Sequence, residues 1–78
     1  MPEEIARIFD ARGLMCPMPI IKAKKEIQAI EIGQVLEILA DDAGAVEDFP
    51  AWCQQTGNDL LANGEKNGYF WFYIRRKR

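Results

Sequence analysis

The chain has 78 residues, a formal net charge of −2, two cysteines and no histidine. This length supports one domain, residues 1–78, and a hydrophobic content of 49% supplies one core and excludes a disordered chain. Without imidazole a Cys–His nucleophilic enzyme is excluded, two cysteines cannot complete a structural zinc site, and no metal or cofactor is expected.

The opening Met1-Pro2-Glu3-Glu4 is acidic and lacks the basic and apolar regions of a signal peptide. No apolar run approaches the ~20 residues of a membrane span. A cytoplasmic protein with reduced thiols is therefore expected. Ile5 to Phe9 is apolar and rich in β-branched residues, and reads as a strand whose two faces are not cleanly sorted. Gly13 ends it.

Gly13-Leu14-Met15-Cys16-Pro17-Met18-Pro19 then marks the start of a helix. The pattern predicts Cys16 as N-cap, Pro17 as N1 and Pro19 as N3, because first-turn N–H groups have no intrahelical partner. Met18 is asked to be helical although a residue before proline disfavours it. With two of the first three donors deleted, the N–H of Met18 is the expected neighbour of the thiol. The helix dipole favours negative charge there, so a thiolate fraction above that of a free cysteine (pKa ~8.5) is expected. The alternative is that Cys16 is a small packed hydrophobe.

Pro17 to about Ile30 reads as the first helix, with Ile20, Ala23, Ile27 and Ile30 as its apolar stripe. Met15 and Ile20 stand at the positions of a hydrophobic staple. Lys22 and Lys25 lie away from the stripe and Lys24 at its margin. They form either a solvated face or a basic docking surface beside the thiol. Gln34 to Ala40 reads as the second strand, which completes a right-handed βαβ unit.

Pro50 inside one long helix would cost ~3 kcal/mol. A turn at Ala43–Glu47 is therefore expected, followed by a helix from Phe49 to Thr56 capped by Asp48. Its inward face would be Val46, Phe49, Trp52 and Cys53, and Gly57 would take the left-handed terminal position. Cys53 reads as a packing residue; the alternative is a resolving partner for Cys16. Leu60 to Glu65 is a third strand, and Asn67-Gly68 signals a type I′ hairpin into Tyr69–Ile74. Phe70, Phe72 and Ile74 would line one face of this last strand, and Tyr69, Trp71 and Tyr73 the other. The tail Arg75-Arg76-Lys77-Arg78 joins the three lysines to hold seven of the ten Lys and Arg.

The expected fold is an α+β two-layer sandwich, order β-α-β-α-β-β, with a four-stranded mixed sheet and both helices on one face.

Asp10-Ala11-Arg12-Gly13-Leu14-Met15-Cys16-Pro17-Met18-Pro19 resembles the signature of the TusA/SirA-like family of small sulfur carriers. Phe49-Pro50-Ala51-Trp52-Cys53…Gly57 and Tyr73-Ile74-Arg75-Arg76-Lys77 extend the likeness over nearly the whole chain. The resemblance agrees with the β-α-β-α-β-β order. It implies that Cys16 receives sulfane sulfur as a persulfide from a cysteine desulfurase or another persulfide donor. Cys16 then hands it to an acceptor protein, as in tRNA thiouridine synthesis or sulfur oxidation. Such a protein is a carrier rather than a stand-alone enzyme, a monomer or weak homodimer needing neither membrane nor nucleic acid. Pro17 and Pro19 would hold the turn, Gly13 would let the chain approach closely, and Asp10 and Arg12 would flank the site. Lys22, Lys24, Lys25, Arg75 and Arg76 are candidates for partner contacts. Two other classes stay open: a redox module using Cys16 and Cys53, and an RNA-binding module using the aromatic sheet face and basic tail.

Overall fold

The computed structural model describes residues 5–78; the acidic opening segment lies outside them. The elements are β1 (Ile5–Asp10), α1 (Met18–Gln28), β2 (Val35–Ala40), α2 (Ala45–Thr56), β3 (Asp59–Lys66) and β4 (Tyr69–Arg75). The strands form one sheet in the order β1-β2-β4-β3. β1 and β2 are parallel, and β4 runs antiparallel to both β2 and β3. The order and the mixed sheet are those expected from the sequence. No described helix is long and apolar enough to cross a membrane.

One core lies between the sheet and the two helices. Leu36, Ile38 and Ala40 of β2 and Phe72 and Ile74 of β4 point into it, every second residue as a pleated strand requires. Ala23 and Ile27 of α1 and Ala45, Phe49, Trp52 and Cys53 of α2 close it from above. Phe49 is fully buried, with its ring 4.9 Å from Phe72 and 6.0 Å from Trp52. In β1 a register shift between Ile5 and Arg7 breaks the alternation, which accounts for its unsorted faces and for the exposure of Ile8.

The second helix corrects the sequence reading. It starts at Ala45, not Phe49, and carries Pro50 in its interior. Proline there removes the N–H that would bond the carbonyl of Val46, but only one turn from the helix start. The turn before it is held by Asp48 N–H to the Gly44 carbonyl at 2.9 Å and by burial of Ala45 and Phe49. Asp48 is thus a residue of the first turns, where the dipole favours a carboxylate, and not the cap. Val46 is exposed, and Ala45 takes its expected inward place. Gly57 ends the helix at φ 81, as expected. Asn67 (φ 51) and Gly68 (φ 83) both lie in the left-handed region, the type I′ geometry of the hairpin.

The other sheet face carries Tyr69, Trp71 and Tyr73, with the rings of Trp71 and Tyr73 5.1 Å apart. The Trp71 indole lies over Gly64 of the neighbouring strand. A Cβ on that glycine would stand 2.6 Å from the ring.

Candidate functional site

Parallel strands bring their carboxyl ends to one edge of the sheet, and the loops leaving those ends meet there. The loop after β1 carries Cys16; the loop after β2 carries Asp41 and Asp42. They are joined by carboxylates. Gly13 N–H donates to Asp41 Oδ1 and Oδ2 at 3.0 and 3.1 Å, and Cys16 N–H donates to Asp42 Oδ2 at 3.3 Å. Asp42 and Asp48 converge in turn, since oxygens of both stand 3.3–3.4 Å from the point where Gly44 would carry a Cβ.

The turn holding Cys16 differs in detail from the sequence expectation. Pro17, not Cys16, is the N-cap of α1, so the helix begins one residue later. The Cys16–Pro17 peptide is cis. The carbonyl of Pro17 accepts the N–H of Ile21 at 3.2 Å, and the N–H of Met18 closes the turn on the Met15 carbonyl at 2.9 Å. The donor assigned to the thiol is therefore spent on the backbone. Cys16 itself is exposed and in no disulfide. Its thiol is pushed up from its ordinary value, not down. Loss of water around the sulfur acts first, then the Asp48 carboxylate that takes the thiol's hydrogen bond, then the charges of Asp48 and Asp42. The staple also fails: Met15 is 75% exposed, and Leu14 packs on the core in its stead.

Asp10 and Arg12 pair side by side, with Arg12 Nε to Asp10 Oδ1 and Nη2 to Oδ2 both at 2.9 Å. That guanidinium holds the Asp10 carboxyl down at about 2, and it also lies 5.0 Å from the ring centroid of Tyr69. The pair thus clips the loop after β1 to the start of β4. Gly13 has φ 88 and nothing within 4 Å of a Cβ position, so its role is the left-handed backbone and not the close approach expected of it. Pro19 is buried at the base of α1.

A groove of ≈ 400 Å³ opens beside the thiol between the two helices, lined by Cys16, Pro17, Ile20, Lys24, Asp48 and Trp52 among others. Of the three lysines only Lys24 reaches it; Lys22 and Lys25 are exposed on α1 outside it. Arg75 and Arg76 stand at the opposite end of the sheet, because β4 runs against β2 and Arg75 pairs with Val35. Arg76 there donates from Nη1 to the Ile30 carbonyl at 2.6 Å and holds the loop after α1. Cys53 is buried in the core, and burial followed by the charge of Asp59 pushes its thiol up to about 11. That is an inert packing thiol.

Sequence reasoning missed the three aspartates. A signal existed for two of them. Asp41 and Asp42 directly follow the second strand of a predicted βαβ unit, so their loop had to meet the one that follows the first. Asp48 gives no such signal, because an aspartate two residues before Pro50 has the pattern of a helix cap.

The sequence profile of the family described as "Sulfurtransferase TusA" matches residues 7–76. The sulfur carrier protein TusA of Allochromatium vinosum is 49% identical over 68 residues, which cover 87% of this chain and 90% of that protein. The sulfur carrier protein TusA of Pseudomonas entomophila is 35% identical over 69 residues, 88% of this chain and 86% of that one. Among solved structures, a SirA-like protein from Desulfitobacterium hafniense superposes with a TM-score of 0.79 at 28% identity, covering 92% of this chain and 99% of its own. With a family match over nearly its whole length and a relative 49% identical over 87% of it, the chain belongs to the TusA family.

Proposed function

We propose that this protein is a cytoplasmic sulfur carrier in which Cys16 accepts sulfane sulfur as a persulfide and relays it to an acceptor protein. A cysteine desulfurase or another persulfide donor supplies the sulfur; thiouridine synthesis on tRNA or sulfur oxidation consumes it. The observation that carries this reading is the exposed thiol of Cys16, free of any disulfide and presented on a turn at the carboxyl edge of the sheet in a TusA-family chain. Transfer between thiols needs an accessible sulfur that can be approached in line by another chain. Asp10, Arg12, Gly13, Pro17 and Pro19 set the shape of that turn. Exposed Met15 and Met18 flank the thiol and offer apolar contact to a docking partner. The buried, inert Cys53 supports a carrier over an intramolecular redox pair.

Intact-mass spectrometry tests the reading. After incubation with a cysteine desulfurase, cysteine and the pyridoxal cofactor, or with inorganic polysulfide, the protein gains about 32 Da that reduction removes and peptide mapping assigns to Cys16. Cys16→Ser abolishes the gain and Cys53→Ser keeps it. A Cys16→Ser protein that still takes up sulfur overturns the assignment.

A further inference from the structure

The groove beside Cys16 does not stop at the thiol. It continues along α1 into a second hollow of ≈ 440 Å³ lined by Lys24, Gln28, Trp52, Thr56, Arg76 and Arg78, among others. Lys24, Trp52 and Thr56 line both hollows, so the two form one trough between the helices. Each half falls in the size range of small-molecule sites.

The two ends of the trough differ in charge. Asp48 stands beside Cys16 at one end; Arg76 and Arg78 stand at the other, with Lys24 between them. Gln55, Thr56, Gln28 and Asn58 supply neutral polar groups along the way. Trp52, only 5% exposed, forms the shared wall, and its indole N–H has no acceptor among the described residues. Carboxylate at one end and cations at the other are the complement of an ammonium and a carboxylate.

We propose that the trough binds a zwitterionic thiol of amino-acid or short-peptide size, and that its persulfide is a small-molecule source of the sulfur taken up by Cys16. Reach agrees with this. From the start of α1 at Met18 to Lys24 the helix rises ~9 Å, and an extended tripeptide spans ~10 Å. With its ammonium by Asp48 and its carboxylate by Lys24 or the arginines, the ligand's sulfur lies beside Cys16. The transfer balances without an outside redox agent. The Cys16 sulfur bonds to the sulfane sulfur of R–S–SH, the S–S bond of R–S–SH breaks, and the proton of the Cys16 thiol ends on the departing R–S group, giving Cys16–S–SH and R–SH.

This deepens the carrier reading and rests on it, and the test separates the two. S-methylglutathione, which has two carboxylates, one ammonium and no transferable sulfur, is titrated into the ¹⁵N-labelled full chain. The expected result is a saturable shift of the Trp52 indole N–H resonance, with that of Trp71, on the far sheet face, unmoved. Lys24→Glu, a change at an exposed position, weakens binding at least about fivefold while the rest of its spectrum stays native. The proposal is overturned if the Trp52 resonance stays in place up to about 20 mM, if both indoles move together, or if Lys24→Glu binds as the parent does. A protein that gains sulfur from polysulfide but shows no indole shift keeps its carrier role and loses this site. One that shows the shift but gains no sulfur from any donor loses the carrier reading.

Discussion

The Asp42 carboxylate accepts the backbone N–H of Cys16 at 3.3 Å, so the loop that presents the thiol is fastened to the loop after the neighbouring strand by an acid. The same carboxylate, together with Asp48, opposes ionisation of that thiol. The aspartates thus act on both the position and the ionisation of Cys16, beside the loss of water that raises the thiol first, and changing them separates the two effects.

Asp48→Asn keeps the shape of the side chain and removes its charge. The thiol of Cys16 is raised by Asp48, so the variant ionises at lower pH than the parent. In a Cys53→Ser background, the rate of iodoacetamide alkylation against pH reports the midpoint. The expected outcome is a midpoint moved down and faster alkylation at neutral pH. An unmoved midpoint would remove Asp48 from the thiol's surroundings.

Cys53 is pushed up as well, by burial first and then by the charge of Asp59. Its thiol ionises at about 11 in the folded chain, against ~8.5 for a free cysteine. Above pH ~8.5 the unfolded chain loses this proton first, so folding stability falls as pH rises and stops falling for this reason beyond about 11. Cys53→Ala should flatten the alkaline limb of urea-midpoint against pH. Native protein at pH 8 should be alkylated at Cys16 alone, and at both cysteines in guanidinium.

The Asp10 carboxyl is held at about 2 by Arg12. A depressed carboxyl contributes stability above its unfolded value of ~3.9, and that contribution disappears as pH falls toward 2. Carbon-detected NMR titration of Asp10 should give a midpoint near 2 in the parent. In Arg12→Ala the midpoint returns toward the ordinary carboxylate range.

Gly64 lies under the Trp71 indole, where a Cβ would meet the ring at 2.6 Å. Alanine normally improves on glycine in a strand. Here Gly64→Ala should destabilise by ~1–3 kcal/mol, the range for overpacking, because the ring must leave its place against Tyr73. With Trp71→Ala already present, the same substitution should be neutral or stabilising, and urea unfolding of the four proteins in the cycle measures the coupling.

Phe49→Ala removes a fully buried ring that touches both Phe72 and Trp52. The expected loss is ~3–5 kcal/mol, enough to threaten folding of a chain this small. Chemical denaturation at low temperature checks it, with the midpoint falling and the slope unchanged.

Much of the fold was legible in the residues. The alternation in Leu36, Ile38 and Ala40, the stripe Ala23, Ile27 and Ile30, and the Asn67-Gly68 turn each have one local solution, and the structure uses it. Pro50 was misleading because a helix can carry proline when it begins just before it and is pinned by buried side chains, as Ala45 and Phe49 pin this one. At the site, Cys16 was recognisable, and the charge state of its thiol was not. The local pattern showed the helix dipole. What pushes the thiol the other way is loss of water around the sulfur, then the carboxylates of Asp48 and Asp42, which are brought near only by the crossover of the sheet.

The hairpin turn carries a consequence for the handling of the protein. Gly68 has no side chain to shield its backbone nitrogen, and exposed Asn67 immediately precedes it in a left-handed conformation. That nitrogen can attack the Asn67 side-chain amide and expel ammonia to close a succinimide, which water then opens to aspartate or isoaspartate in the turn. Each event adds a negative charge, and isoaspartate lengthens the backbone of a two-residue loop that tolerates no extra atom. Old preparations will therefore be mixtures of charge isomers that differ at one tip of the sheet. Since Tyr69, the next residue, carries the guanidinium of Arg12, the ageing begins at the same edge as the thiol.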